Sequence, residues 1–143
     1  MYNAHTDTLP GSVAWLGYGG LLPFVGTALA IVVDPHHADL WSDALMAYGA
    51  VILSFVGALH WGFAMNLPSL DAGRRRACFI WSTVPALMAW PATLLVPIDA
   101  GLLLVTGFLV HYWQDRRLAA RARLPGWYLP LRLRLTVVAC ASL

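Results

Sequence analysis

The stretch Ala44-Leu45-Met46-Ala47-Tyr48-Gly49-Ala50-Val51-Ile52-Leu53-Ser54-Phe55-Val56-Gly57-Ala58-Leu59 contains no charge and no proline, and its apolar side chains run right round a helix of 3.6 residues per turn. A helix of a water-soluble bundle needs one polar face, and this one has none. The charge-free run extends to Asp71, so the segment is long enough to cross a hydrocarbon layer about 30 Å thick. A charge at the centre of such a layer costs about 2.5–3.5 kcal/mol, so the gaps between charges locate the spans.

Working outward, nothing charged lies between Asp7 and Asp34, between Asp43 and Asp71, between Arg76 and Asp99, between Asp99 and Asp115, or after Arg134. These gaps predict spans at about residues 15–33, 44–67, 78–96 and 100–113, and a last one at about 127–143. The last is the shortest, because only Leu131 to Leu143 follows Pro130. The expectation is an all-α integral membrane bundle of about five transmembrane helices, forming one domain over residues 1–143 and kinked at Pro23, Pro85 and Pro91. Composition agrees, with 59% hydrophobic and 11% charged residues against roughly a quarter charged in soluble domains. A net charge of +2, with basic residues set between apolar stretches, excludes a nucleic-acid partner.

All nine basic residues are arginines, and they fall on one side of the predicted bundle: Arg74, Arg75, Arg76, Arg116, Arg117, Arg121, Arg123, Arg132 and Arg134. The opposite loops hold only Asp34, Asp39, Asp43 and Asp99. Cytoplasmic loops retain Lys and Arg, so the N-terminus is expected inside and, with five spans, the C-terminus outside. The first span reads as a retained anchor, since no basic segment precedes it. Asp99 is placed to cap the fourth helix, and Asp115 to cap or to pair with a loop arginine.

Ala50, Ser54, Ala58 and Gly62 recur every four residues, a small-residue face of the kind on which helices approach closely in lipid. His60 is an ionisable group about 10 Å inside the inner end of the second span, with Trp61 beside it and Ser54 above. His111 lies at a similar depth in the fourth span. Trp127, Tyr128 and Arg132 complete the candidate ligand-binding residues, as an aromatic floor beneath an amphiphile such as a quinone and a cation for an acidic group. His60 suits proton transfer, metal ligation or a hydrogen bond to a quinone carbonyl, and two histidines on facing helices suit haem iron. The pair His36-His37 with Asp34 and Asp39 matches no strong metal spacing. No catalytic residue and no metal site is assigned, and the cofactor is left open. Cys78 and Cys140 stand near opposite faces and are expected as free thiols.

Four strings carry a family resemblance: Leu16-Gly17-Tyr18-Gly19-Gly20-Leu21-Leu22-Pro23-Phe24, then Ser54-Phe55-Val56-Gly57-Ala58-Leu59-His60-Trp61-Gly62, then Pro85-Ala86-Leu87-Met88-Ala89-Trp90, then Pro125-Gly126-Trp127-Tyr128 with Leu131-Arg132. Together they resemble a bacterial domain-of-unknown-function family whose mitochondrial relatives in animals carry the name transmembrane protein sixty-nine. The resemblance spans nearly the whole chain and implies a small multi-pass protein of the bacterial inner membrane, or of the mitochondrial membrane by descent, without an activity to carry over. From the residues, two function classes stay open. One is a non-enzymatic protein that binds lipid or other membrane proteins, as an accessory or assembly subunit or a homo-oligomer. The other is a carrier of quinone, metal or haem that uses His60. An enzyme is the least supported class, since no nucleophile-and-base pair appears.

Overall fold

The computed structural model describes residues 8–143, and residues 1–7, including the Asp7 that bounds the first charge-free gap, lie outside the described part. Among the described residues the chain is all helical: α1 (Gly11–Gly19), α2 (Leu22–Val33), a single 3-10 turn (Pro35–His37), α3 (Ala38–Asn66), α4 (Ala72–Ala92), α5 (Pro97–Ala119) and α6 (Tyr128–Ser142). Helix α3 is the centre, packed by α2, α4 and α5, and α6 lies against α5 and α2.

Proline placement differs from the expectation in an instructive way. The first predicted span is not one kinked helix but two helices, broken at Gly20-Leu21, because Pro23 occupies the first turn of α2, where its missing N–H costs nothing. The break leaves the Gly20 carbonyl without a helical donor, and the Tyr48 hydroxyl of α3 donates to it at 2.8 Å. Helix α4 runs unbroken through Pro85, and Pro91 stands in its last turn, where it ends the helix instead of bending its middle.

The hairpin from α3 to α4 is closed by two residues of the loop region. The Asp71 side chain accepts from the Arg74 backbone N–H at 2.8 Å and caps α4. The Arg75 guanidinium reaches back to the last turn of α3 and the loop after it, donating to the carbonyls of Ala64, of Leu67 at 3.2 Å and of Leu70 at 3.3 Å. Asp99 does not cap α5. It lies in the first turn, and Val96 holds the cap position without a side-chain bond, so Pro97 at the start is the stronger signal.

The interior is built from small residues and a few large ones. Phe24, Leu45, Leu53, Leu104 and Phe108 fill it, with Ala50, Ala89, Ala92, Ala100 and Ala139 between them. The Phe24 ring meets Tyr48 and Phe108 edge-on, at centroid distances of 5.0 and 6.1 Å. The outside carries the bulk: Trp15 is 83% exposed, Val33 80% and Trp90 68%. Large apolar side chains outward and alanine inward is the packing of helices whose solvent is itself apolar.

Two segments, Gly11–Val33 and Pro35–Asn66, are long and apolar enough to cross a membrane by length and composition. The later helices fall short of that measure, α4 and α5 largely because of exposed charges near their ends, Arg74 and Arg76 in α4 and Asp99, Arg116 and Arg117 in α5. Helix α6 has 15 residues, about 22 Å at 1.5 Å per residue. It nevertheless traverses most of the bundle, since Leu143 reaches the level of Gly101, one turn into α5, and of Gly49 in α3.

Candidate functional site

Buried polar residues converge at one place, on the arginine-rich half of the bundle. His60 from α3, His111 and Asp115 from α5, and Arg132 and Thr136 from α6 are all at most 5% exposed, and the first three are fully enclosed. Helical spacing explains the sets, because residues four apart share a face: His111 with Asp115, and Tyr128 with Arg132 and Thr136.

Asp115 is the hub. Its Oδ1 accepts from His60 Nε2 at 3.1 Å and from the Tyr128 hydroxyl at 3.1 Å, and its Oδ2 accepts from Arg132 Nε at 2.8 Å. His111 Nε2 stands 3.8 Å from Oδ1, beyond hydrogen-bond range. The expectation that Asp115 caps α5 or pairs with a loop arginine is therefore overturned. Helix α5 continues a turn past it to Ala119, which turns the carboxylate inward against the arginine of another helix. A buried charge pair survives only when both partners are present and hydrogen-bonded, and here three donors share the carboxylate.

The hydrogen bonds also set the state of the imidazoles. The Trp81 indole donates to His111 Nδ1 at 3.1 Å, so that nitrogen carries no proton and the proton sits on Nε2. His60, His111 and Asp115 have donor atoms within 4.8 Å of one another, a spacing a metal ion would accept. The lone pair such an ion needs on His111 Nε2 is, however, occupied by that proton. A haem fits no better, because the two rings meet edge to face at a centroid distance of 5.1 Å and are fully buried, with no slot for a macrocycle between them.

Beside the cluster lies a cleft of about 620 Å³, bounded by α1, α2, α3 and α6, with Phe108 of α5 in its lining. Its walls are apolar, from Leu21, Phe24, Val56 and Phe63 among others, and Trp127, Tyr128, Arg132 and Thr136 also line it. Leu16 and Phe55 stand in its wall and are 78% and 62% exposed, so the cleft opens sideways between α1 and α3.

The candidate residues thus divide. The structure brings His60, His111, Tyr128 and Arg132 together, and it puts Trp127 in the adjoining wall. Trp61 points away from them, half exposed and packed on Phe79 of α4. Ser54 donates to the Ala50 carbonyl of its own helix at 2.8 Å and takes no part in the cluster. Of the small-residue face, Ala50 is buried while Ala58 and Gly62 are exposed. The close approach of α3 to α4 is made instead by Gly57, where an added Cβ would lie 2.7 Å from the Pro85 ring. Cys78 and Cys140 are free thiols, and His37 pairs with Asp34 at 2.9 Å on the surface. Sequence reading missed Asp115, Thr136 and Trp81 as site residues. The four-residue spacing Tyr128, Arg132, Thr136 was the available signal for the second of them.

Relatives add a family and no chemistry. The chain is 38% identical to transmembrane protein 69 of Xenopus tropicalis over 138 residues, covering 94% of this chain and 53% of that protein. It is 28% identical to transmembrane protein 69 of Mus musculus over 138 residues, covering 93% of this chain and 54% of that one. The chain therefore spans about half the length of these curated relatives. No solved structure matches it. A family model described as "Protein of unknown function (DUF3429)" matches residues 9–143, and the chain belongs to that family, which is related to transmembrane protein 69.

Proposed function

We propose that this chain is a non-enzymatic multi-pass membrane protein of about five spans that binds a lipid-like amphiphile in the cleft beside Asp115. The proposed location is a bacterial inner membrane, with the arginine-rich end cytoplasmic. The observation that carries this reading is the cleft itself, apolar along its length and ending on a buried polar cluster. Its volume of about 620 Å³ lies within the roughly 300–1,000 Å³ usual for small-molecule sites. An apolar wall takes a chain, a polar floor takes a head group, and a side opening admits the molecule from the acyl layer. The names of the relatives and the outward-facing apolar surface support the membrane setting.

The test is mild extraction of the full chain followed by mass spectrometry of what stays bound. The expected result is one amphiphile retained per chain by the unaltered protein and lost on Leu135→Trp, which fills the cleft from its wall. Recovery of bulk lipid alone, in bulk proportions and unchanged by the substitution, would overturn the reading.

A second reading, attachment to another membrane protein, is favoured by Ala58 and Gly62, two small residues exposed on α3. Gly62 has nothing within 4 Å of the place a Cβ would occupy. Cross-linking from a cysteine at position 62 is expected to trap a neighbour in native membranes, and purification of the chain alone under every extraction would remove this reading.

A further inference from the structure

The arginine-rich end carries more positive charge than the chain itself balances. Among the described residues it holds all nine arginines and two aspartates, Asp71 and Asp115. Asp115 is buried against Arg132, and Arg75 is occupied with the carbonyls that close the α3–α4 hairpin. Asp71 meets Arg74 at 3.2 Å. Among the described residues, Arg117 and Arg121 pair with no carboxylate.

Three of these arginines border one recess. A hollow of about 230 Å³ lies in the seam between α4 and α5, lined by Arg74 and Cys78 of α4, by Gln114, Arg117 and Leu118 of α5, and by Arg121 in the turn beyond. It shares no lining residue with the apolar cleft. Gln114, Arg117 and Arg121 fall three and four apart, so the register of α5 sets them on one face. Cys78 and Leu118 are buried and form an apolar floor, whereas the three arginines are exposed and stand at the rim, free to turn towards a ligand. No carboxylate lines the recess.

The recess also sits at a definite depth. The Arg117 guanidinium lies over the Trp113 ring at 4.4 Å, which covers one of its faces and leaves its N–H edge open. Trp113 is half exposed, one turn before Arg117, and tryptophans on the outside of a membrane bundle collect at the head-group level. The arginines one and two turns beyond it therefore stand among lipid phosphates. Guanidinium edges match phosphate oxygens, and three of them with an amide offer more donors than the two oxygens of a carboxylate use. Basic hollows between helices on the cytoplasmic side are where anionic head groups bind.

Resting on the membrane setting proposed above, and not on the cleft, we infer that Arg74, Arg117 and Arg121, with the Gln114 amide, hold the phosphate of an anionic lipid head group in the seam between α4 and α5.

The full chain in detergent is titrated separately with dioleoylphosphatidylglycerol, dioleoylphosphatidylcholine and inorganic phosphate, and binding is read by native mass spectrometry. Phosphatidylglycerol is expected to bind most tightly, and equimolar inorganic phosphate is expected to leave it in place. Arg117→Gln with Arg121→Gln, both at the exposed rim, is expected to weaken that binding about tenfold to thirtyfold, the loss of two charges near a membrane surface. Arg116→Gln with Arg123→Gln removes the same charge from exposed positions outside the recess and is expected to leave the binding unchanged. Leu135→Trp, in the wall of the cleft, is expected to leave it unchanged as well. Equal weakening by the two arginine pairs, or equal binding of the two lipids, overturns the site. Displacement by inorganic phosphate overturns a lipid as the source of the phosphate. Loss of phosphatidylglycerol with Leu135→Trp puts that lipid in the cleft, which overturns this site and leaves the cleft reading standing.

Discussion

A single carboxylate organises the interior of this bundle, and its worth is measured by removal. Asp115 is fully buried and pairs with Arg132 at 2.8 Å, while His60 and Tyr128 share its other oxygen. Asp115→Ala strands the Arg132 guanidinium in the interior, an expected destabilisation of about 3–5 kcal/mol in equilibrium unfolding from detergent micelles. Replacing both, Asp115→Leu with Arg132→Met, removes the charge pair whole and is expected to recover most of that loss. A double variant no more stable than the sum of its single changes would show that the pair is not the organising contact. His60 was legible as a polar intruder in an apolar run, because a lone imidazole in such a run has to find a partner. Asp115 was not legible in the same way. It adjoins Arg116 and Arg117 in sequence, and only the turn of α5 separates the inward carboxylate from its outward neighbours.

At the scale of helices, what the sequence made plain was the existence of the elements, and what it hid was their junctions. Charge-free runs announce apolar helices, but a proline signals either a kink or a start, and the difference depends on its neighbours. Pro23 starts α2 because it has no N–H to continue the ladder from α1, and Tyr48, 28 residues after Gly20, satisfies the freed Gly20 carbonyl. Tyr48→Phe deletes that bond and is expected to cost about 1–2 kcal/mol, with faster amide exchange confined to Gly20 to Phe24. Uniform exchange along α2 in the variant would argue that the junction is held by packing alone. The α3–α4 contact was hidden for a related reason. The four-residue ladder of small residues drew attention to Ala58 and Gly62, while the true approach is at Gly57, where Pro85 leaves no room for a Cβ. Proline's ring is rigid, so Gly57→Ala must push two helices apart, with an expected loss of about 1–3 kcal/mol. Gly62→Ala, into open space, is expected to be neutral in the same unfolding measurement.

For the molecule as a whole, the open question of the short last helix becomes one of geometry. Helix α6 is too short to span about 30 Å alone, yet it begins beside Asp115, already inside the bundle, and brings Leu143 to the level of Gly101 near the far end of α5. Its first residues need no crossing of their own, since Pro125-Gly126-Trp127 carries the chain inward before the helix starts. The remaining distance is small enough for modest thinning of the bilayer to close. This arrangement predicts five crossings with the two ends of the chain on opposite sides. Single cysteines at Ser69 and Leu95, introduced after Cys78 and Cys140 are replaced by alanine, mark the two loop levels. Ser69→Cys is expected to react with a membrane-impermeant thiol reagent only in inverted vesicles, and Leu95→Cys only in intact spheroplasts. A cysteine at Leu143 is expected to follow Leu95. If it follows Ser69 instead, α6 re-enters without crossing, and the cleft it borders opens to the inner leaflet and not to the middle of the hydrocarbon.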